Sequence, residues 1–423
     1  MKIKTMELPY EKVLELPPVK RKKPRRQSLF FRTLLRLVSV PDLKAVHFQC
    51  KKINMERLKK NEPCLILMNH SSFIDLKIAT SVFYPRPLNI VCTSDGFVGK
   101  EWLMRHLGCI PTAKFATDYA LVKDMVYCVN TLRTSVLMYP EASYSFDGTA
   151  TPLPDSVGKC LKLLGVPLVM IRTNGAFLRD PLYNNLQLRK TNVSAEVEYL
   201  LSPEQIADLS VSELNQILQK QFAFDNFRYQ QEHSIRIREG FRADHLNRIL
   251  YKCPHCLAEG QMEGKGISIR CKRCAAGYEL TEDGYLSSID GNGRFTHIPD
   301  WYRWEREEVR KEILDGTYRL ESEVEIYIMR DTRAIYHVGR GHLTHTADGF
   351  RLTGCGGKLD YSQKPAASYS LYSDFYWYEI GDMICIGKPN FLYYCFPAVS
   401  GDIVAKARLA TEELSKLTCH AKA

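Results

Sequence analysis

The sequence predicts an α/β domain with a mixed sheet flanked by helices, followed by two smaller units. Between residues 48 and 245, short apolar runs alternate with helical patterns. Residues 253–274 contain two Cys-x-x-Cys pairs. From residue 317 onward, tyrosine-rich stretches with alternating polarity are separated by glycine turns, which indicates an antiparallel β domain. The predicted division is 1–47, 48–245, 246–299 and 300–423.

The positive charge is concentrated at one end of the chain. The 423 residues have a net charge of +10, and the first 60 contain 17 Lys or Arg against 5 Asp or Glu. A nucleic-acid-binding protein is expected to show a basic folded domain with a recognisable motif, and none is found. We therefore expect no nucleic acid, and an anionic membrane surface as a partner.

The sequence contains no run of 18 or more apolar residues, so no membrane-spanning helix is predicted. The polar start of the sequence does not resemble a secretory signal. We therefore expect a peripheral protein at the cytoplasmic face of a membrane. In a reducing cytoplasm the 14 cysteines are thiols or metal ligands.

The first 47 residues are predicted to contact that membrane. A basic run interrupted by prolines, PPVKRKKPRR, precedes SLFFRTLLRLVSV. The second stretch predicts an amphipathic helix that ends at Pro41, with Arg32 and Arg36 opposite the apolar face. Packing of the apolar face on the protein itself, with both arginines in water, is the alternative.

The domain at 48–245 has five strand candidates, each short and apolar as in parallel sheets. A helix is expected after Ser202, which can cap it, with Pro203 in the first turn and Gln205 completing a capping box. The strand candidates are 64–68, 88–92, 135–139, 167–172 and 195–200.

The stretch CLILMNHSSFID, residues 64–75, brings a histidine to the end of the first of these strands. His70 and Asp75 are five positions apart and point in different directions on one regular helix. They meet only if His70 precedes the helix. The carboxylate then holds one ring nitrogen protonated and leaves the other free as a general base. A helix-start histidine held for stability alone is the alternative.

Three further stretches give this motif its context: LGCIPTAKF at 107–115, MYPEASYS at 138–145 and GVPLVMI at 165–171. With CLILMNHSSFID, they resemble in order the four signature blocks of the glycerolipid acyltransferases, the lysophosphatidate acyltransferase family. The four blocks lie between residues 64 and 171, and the resemblance carries over only where they match.

The resemblance implies that His70 deprotonates the acceptor hydroxyl and that Asp75 orients and charges the imidazolium. It places Lys114 and Glu141 in the acceptor site, with Asn69 and Tyr144 beside them as substrate-binding residues. The acyl donor is expected to be acyl-CoA or acyl carrier protein.

One position departs from the family pattern. Tyr144 stands where the third block usually has a phosphate-binding arginine, and tyrosine carries no such charge. Either Lys114 and nearby bases such as Arg133 or Arg172 hold the phosphate, or the acceptor is not a simple glycerol phosphate.

The two Cys-x-x-Cys pairs form two knuckles, the first with Cys253 and Cys256 and the second with Cys271 and Cys274. The knuckles are separated by 14 residues. This spacing predicts a zinc ribbon in which four thiolates close a structural, non-catalytic site. Chance clustering of buried thiols and a redox pair are the alternatives. An acyltransferase domain followed by such a ribbon and by HIPDWYRWEREEVRKEI also resembles a group of bacterial acyltransferase-like proteins.

The last unit is predicted to begin with a helix at 300–315, capped by Asp300 and ended by Gly316. Strands and a terminal helix at about 401–417 follow, in an order that resembles a pleckstrin-homology-like domain. The expected function is transfer of an acyl chain to a lysophospholipid, first of all 1-acylglycerol-3-phosphate, in phospholipid synthesis. Acylation of another lipid alcohol or a lysoglycolipid, and a non-catalytic membrane adaptor, are the alternatives.

Overall fold

The computed structural model of the protein describes residues 2–114, 118–398 and 403–420. The chain begins with a short strand and two helices: β1 (Thr5–Glu7), α1 (Tyr10–Glu15) and α2 (Leu29–Ala45). Strand β1 pairs with a strand near residue 335, and Val13 of α1 is buried in the core there. Residues 5–15 therefore pack on the C-terminal sheet, whereas the sequence predicted one N-terminal segment that contacts the membrane.

Helix α2 continues through Pro41, where the sequence predicted its end. The proline lacks only one N–H, and the helical bonding resumes behind it, because Val46 N–H donates to Asp42 O at 3.2 Å. Its two arginines turn towards the protein: Arg36 donates to Ser81 O at 2.7 Å, and the Nε of Arg32 is buried. The apolar face is the exposed one, and it comprises Leu29, Phe30, Leu34, Leu37 and Val38.

A seven-stranded mixed sheet forms the centre of the α/β domain, in the order β2-β8-β7-β3-β6-β4-β5. Its strands are β2 (Gln49–Ile53), β3 (Leu65–Met68), β4 (Leu88–Thr93), β5 (Cys109–Thr112), β6 (Ser135–Met138), β7 (Leu168–Asn174) and β8 (Ser194–Leu201). Five strands run in one direction, and β8, with β2 beside it, runs in the other. Strand β8 is therefore not one of the parallel strands. Its residues alternate in burial, as expected for a strand buried on one face only.

Helices cover both faces of this sheet. They are α3 (Ile74–Phe83), α4 (Glu101–His106), α5 (Tyr119–Tyr127), α6 (Ser156–Leu164), α7 (Ala176–Arg179), α8 (Pro203–Asp208), α9 (Val211–Gln221) and α10 (Asn226–Glu232). Ile66 and Met68 pack towards α3, whereas Leu65 and Leu67 pack towards α5, α6 and α9. The predicted capping box at Ser202 is present.

The cysteine-bearing unit is a small antiparallel sheet in the order β12-β11-β10-β9. Its strands are β9 (Met262–Lys265), β10 (Ser268–Cys271), β11 (Gly277–Leu280) and β12 (Leu286–Ser288). Helix α11 (Ile298–Leu314) follows. It begins two residues earlier than predicted because Pro299 occupies its first turn, so Asp300 lies inside the helix.

The C-terminal unit is an antiparallel sheet in the order β16-β15-β14-β13-β19-β18-β17, to which β1 adds at β14. Its strands are β13 (Arg319–Met329), β14 (Ile335–Thr346), β15 (Gly349–Gly354), β16 (Leu359–Gln363), β17 (Tyr372–Trp377), β18 (Gly381–Lys388) and β19 (Phe391–Pro397). Helix α12 (Ile403–His420) follows, against the predicted 401–417. The pleckstrin-homology-like assignment stays a prediction.

One continuous core joins the three units. It includes Phe146 and Tyr183 of the α/β domain, Tyr278 of the small sheet, Trp301 of α11 and Phe375 of β17. Among the described residues, no helix has the length and apolar character needed to cross a membrane.

Candidate active site

His70 lies between the end of β3 and the start of α3, at the edge where the parallel strands end. The ring therefore precedes the helix and folds back onto it, so that Nδ1 lies 3.1 Å from Asp75 Oδ2. The same oxygen accepts the N–H groups of Ser71 at 2.7 Å and Ser72 at 3.0 Å. These bonds fix the carboxylate, which in turn fixes the imidazole.

The environment of His70 keeps its ring neutral. Burial lowers the pKa of His70 below its ordinary value, and the Asp75 carboxylate offsets part of that effect. The rings of Tyr139 and Tyr144 lie on the imidazole, each with its centroid 4.1 Å away. With Nδ1–H donated to Asp75, Nε2 is the atom left to take a proton.

Glu141 acts on the backbone of the site. Its carboxylate is buried and accepts the N–H of His70 at 2.9 Å through one oxygen and the N–H of Thr151 at 2.9 Å through the other. Burial raises the pKa of Glu141 to about 7, although these bonds act in the opposite direction. Both oxygens are engaged, so Glu141 shapes the site by holding the histidine loop.

The side chain of Asn69 also holds the loop of His70 in place. Its side-chain oxygen accepts the N–H of Thr173 at 2.8 Å, and its amide donates to Thr173 O at 3.3 Å. The side chain is buried and ties the end of β3 to the end of β7. This position orients the loop that carries His70.

The cationic residues near the predicted acceptor site are fewer than the sequence suggested. The ammonium of Lys114 lies 4.1 Å from the centroid of the Tyr372 ring. Arg172 donates to Glu196 at 3.2 Å and Glu198 at 3.0 Å, so its charge is already paired. Arg133 precedes β6, at the opposite edge of the sheet from His70.

Comparison with known proteins identifies the segment that carries this arrangement. Residues 49–173 match the family model described as Acyltransferase. The chain carries an acyltransferase-family domain. All four sequence blocks lie within the matched residues, so the predicted acyltransferase resemblance is confirmed for this segment of the chain.

The other comparisons give weaker similarities than the family model does. No curated protein matches the sequence. Among solved structures, the chain is similar to the 1-acyl-sn-glycerophosphate (LPA) acyltransferase PlsC from Thermotoga maritima, with a TM-score of 0.38 and 12% identity. That similarity covers 46% of this chain and 77% of the PlsC chain.

The C-terminal sheet reaches the acyltransferase site, which the sequence did not predict. Besides the contact of Tyr372 with Lys114, Phe375 packs on Phe146 with ring centroids 4.5 Å apart. Asp374 lies between these two residues of β17. The polar–apolar alternation indicates this strand, but it carries no signal for the domain that the strand contacts.

The four predicted cysteines lie together. Their sulfur atoms are all within 4.8 Å of one another, with Cys253–Cys274 at 3.6 Å and Cys256–Cys271 at 3.7 Å. A tetrahedron with metal–sulfur bonds of about 2.3 Å has edges of about 3.8 Å, so the cluster fits a tetrahedral ion. His255 contacts Tyr278 Oη at 3.2 Å, outside this set.

Proposed function

We propose that the protein is a peripheral membrane O-acyltransferase that transfers an acyl chain from acyl-CoA or acyl carrier protein to the free hydroxyl of a lysolipid. The observation that carries this proposal is the His70–Asp75 pair, 3.1 Å apart, within an acyltransferase-family domain. The neutral imidazole has one nitrogen fixed by the carboxylate and the other available to the substrate.

In the proposed reaction, the acceptor hydroxyl oxygen attacks the thioester carbonyl carbon while His70 Nε2 takes the hydroxyl proton. A carbon–oxygen bond forms, and the imidazolium is stabilised by Asp75. The tetrahedral intermediate then collapses with cleavage of the carbon–sulfur bond. The leaving thiolate takes the proton from His70, which returns the base to its starting state.

The acceptor that the family blocks imply first is 1-acylglycerol-3-phosphate, in phospholipid synthesis. The second candidate, another lipid alcohol or a lysoglycolipid, is favoured by a specific observation. Tyr144 packs on His70 where the family usually has an arginine, and Arg172 is already paired with two glutamates. Lys114 is then the one cation of the three candidates that remains near the site.

The exposed apolar face of α2 supports membrane contact at the cytoplasmic face. Phe30 and Leu37 are 69% and 62% exposed, whereas Arg36 turns towards the domain. This orientation is the reverse of the alternative in which the apolar face of the helix packs on the protein and the arginines face water. Phe73, also exposed, lies 5.5 Å from the ring of Tyr144, so apolar surface reaches the catalytic histidine. A lysolipid in the bilayer would thus be presented beside His70.

We propose structural zinc in the four-cysteine cluster. Four thiolates leave no open position for a substrate, and the cluster lies in the small sheet, away from the acyltransferase edge. The metal would hold together a segment too small to have a core of its own. It takes no part in the acyl transfer.

The non-catalytic adaptor reading has less support. Asp75 is buried, and its Oδ1 has no hydrogen-bond partner among the described residues. Burial of an unpaired carboxylate oxygen lowers the stability of the fold, and a protein without catalytic activity would have no reason to retain it. An inactive scaffold gains nothing from an imidazole with a free Nε2.

The test is acyl transfer measured by mass spectrometry on the purified full chain. Acyl-CoA and acyl carrier protein would be offered in parallel, with lysophosphatidate and other lysolipids in vesicles. We expect product from the wild type and none from His70→Ala, with both proteins folded by circular dichroism. Full turnover by folded His70→Ala would contradict the mechanism, and absence of His70-dependent product with every acceptor would favour the adaptor.

A further inference from the structure

Strand β17 of the C-terminal sheet packs against the acyltransferase domain at its second and third family blocks. It is an edge strand, and its first residue, Tyr372, contacts Lys114 and bonds to Asp95 with an Oη–Oδ2 distance of 2.5 Å. Three residues later, Phe375 packs on Phe146, which follows the third block. The strand therefore runs from the second family block to the third.

Asp374 lies within this contact region, between the residue that contacts Lys114 and the residue that contacts Phe146. Its side chain is half-buried, and it pairs with Met383 of β18 through the backbone. In the part of the chain that the structure describes, no lysine or arginine lies within ion-pair distance of its carboxylate. The ammonium of Lys114 likewise contacts an aromatic ring in place of a carboxylate.

Electrostatic effects agree with this placement. Burial raises the pKa of Asp374 to about 7, and Lys114 acts to lower it. Burial lowers the pKa of Lys114, against the influence of Asp374 and Asp95. Burial also raises the pKa of Tyr144, with Asp75 and Asp374 adding to the effect. Asp374 follows Tyr372 by two residues in regular pairing with β18, so both side chains lie on the same face of the strand, the face that Lys114 contacts.

Lys114, Asp374 and Tyr144 supply only one cation among them, which is unsuited to a phosphate monoester. Such a headgroup carries between one and two negative charges at neutral pH and needs several cationic donors. Here Lys114 is opposed by Asp374, and the position usually occupied by arginine holds Tyr144. An ammonium donor beside a carboxylate acceptor suits a hydroxyl group instead, because a hydroxyl both accepts and donates.

We propose that Asp374 and Lys114 together bind the hydroxyl groups of an uncharged polyol headgroup on the acceptor lysolipid, so that the C-terminal β domain sets acceptor specificity. This inference rests on the acyl-transfer function proposed above. Asp374 is a specificity-determining residue in this scheme, and His70 remains the base.

The experiment compares two acceptors in the same vesicles: a monoacyl glycerolipid with a glucosyl headgroup, and lysophosphatidate. The full-length protein would be assayed with acyl-CoA, and kcat/KM would be measured for each acceptor. Variants are Asp374→Asn, Tyr144→Arg and, as a matched control on the same sheet, Asp360→Asn, whose carboxylate is exposed and paired with Arg351. His70→Ala separates enzymatic product from background.

We expect the wild type to use the glucosyl acceptor at least about tenfold better than lysophosphatidate, because a site that bonds hydroxyls discriminates strongly by them. Asp374→Asn should lower kcat/KM for the glucosyl acceptor by about tenfold or more and change lysophosphatidate use much less. Tyr144→Arg should shift the ratio towards lysophosphatidate. Asp360→Asn should behave as the wild type does.

Two results would overturn the inference while leaving acyl transfer in place. One is a wild-type preference for lysophosphatidate, which needs no variant to be observed. The other is an equal loss with both acceptors in folded Asp374→Asn, since that is the signature of a merely structural role. Absence of His70-dependent product with either acceptor, and of His70-dependent thiol release, would overturn the proposed function and this inference with it.

Discussion

Four neighbours of His70 act on different properties of this residue. The rings of Tyr139 and Tyr144 bury it, which lowers its pKa, and Asp75 fixes its tautomer by accepting from Nδ1. Glu141 holds its backbone N–H at 2.9 Å. Basicity, orientation and position of the base are therefore set by separate residues, so each can be altered separately.

Asp75→Asn should keep the fold and lose activity. Asp75 Oδ1 has no hydrogen-bond partner among the described residues, so an amide nitrogen fits there while the other oxygen keeps its backbone bonds. The negative charge that stabilises the imidazolium is removed, and we expect kcat/KM to fall by about 10²-fold or more. Steady-state kinetics and circular dichroism measure both effects. Wild-type turnover would contradict the assignment of Asp75.

The pH profile should report the same histidine. Because burial places the pKa of His70 below the ordinary value of about 6.5, the ring is neutral at pH 7 and only acid removes the base. We expect kcat/KM to fall with decreasing pH, with a midpoint below about 6.5. Since Asp75 raises this pKa, residual activity of Asp75→Asn should show a midpoint at still lower pH. A wild-type midpoint above 7 would exclude His70 as a buried neutral base.

At the scale of elements, α2 is an amphipathic helix with its apolar face turned away from the protein. The sequence distinguishes the two faces of such a helix, because apolar residues recur with helical period. It does not determine which face packs on the domain. Here the arginine side bonds to the domain, as in the contact of Arg36 with Ser81 O, and this leaves the leucines exposed.

The double variant Phe30→Ser/Leu37→Ser should bind anionic vesicles more weakly. Both side chains are more than half exposed, so their loss should not disturb the core. We expect vesicle partitioning to fall by about tenfold or more, because two apolar anchors are removed. Vesicle flotation at constant salt measures it. Leu163→Ser, an equally exposed leucine on α6, is the control, and equal partitioning of all three proteins would contradict a role for α2.

The local sequence patterns predicted the secondary-structure elements better than they predicted which elements pack against each other. The His70–Asp75 pair and the four cysteines are recognisable because their members lie close in the sequence. The alternation in β8 indicated a strand buried on one face, and it should have set this strand apart from the parallel ones. Asp374 could not be placed, because its position near Lys114 depends on packing between domains more than 250 residues apart.

At the scale of the whole molecule, the cysteine-bearing sheet joins the other two units. Lys252, beside the first knuckle, lies 3.4–3.5 Å from Glu308 and Glu312 of α11, and Trp301 donates to its carbonyl at 3.0 Å. Arg248 bonds both Tyr183 O at 3.0 Å and Asp382 at 2.9 Å, which ties the acyltransferase domain to the C-terminal sheet. The cysteine-bearing unit thus supports contacts well beyond its own boundaries.

Loss of zinc should therefore destabilise the whole protein. We expect about one zinc per chain in freshly purified, reduced protein, and little in Cys271→Ser. The melting temperature should fall by roughly 10 °C, because the loss of several kcal/mol of metal-binding free energy lowers it by about 2 °C per kcal/mol in a large chain. Elemental analysis and calorimetry measure these effects, with Cys50→Ser as the exposed-cysteine control. Metal-free wild type with an unchanged melting temperature would contradict a structural zinc.

The pairing of β1 with β14 constrains the order in which the parts of the protein fold during translation. Thr5 lies beside Ile335 and Glu7 beside His337, across some 330 residues of intervening chain. On the ribosome, the first strand emerges long before its partner has been translated, so it must remain unpaired while the acyltransferase domain forms. Completion of the sheet beside the active site is thus among the last steps of synthesis. A nascent chain therefore has the proposed base, His70, in place before it has β17, the strand proposed to select the acceptor.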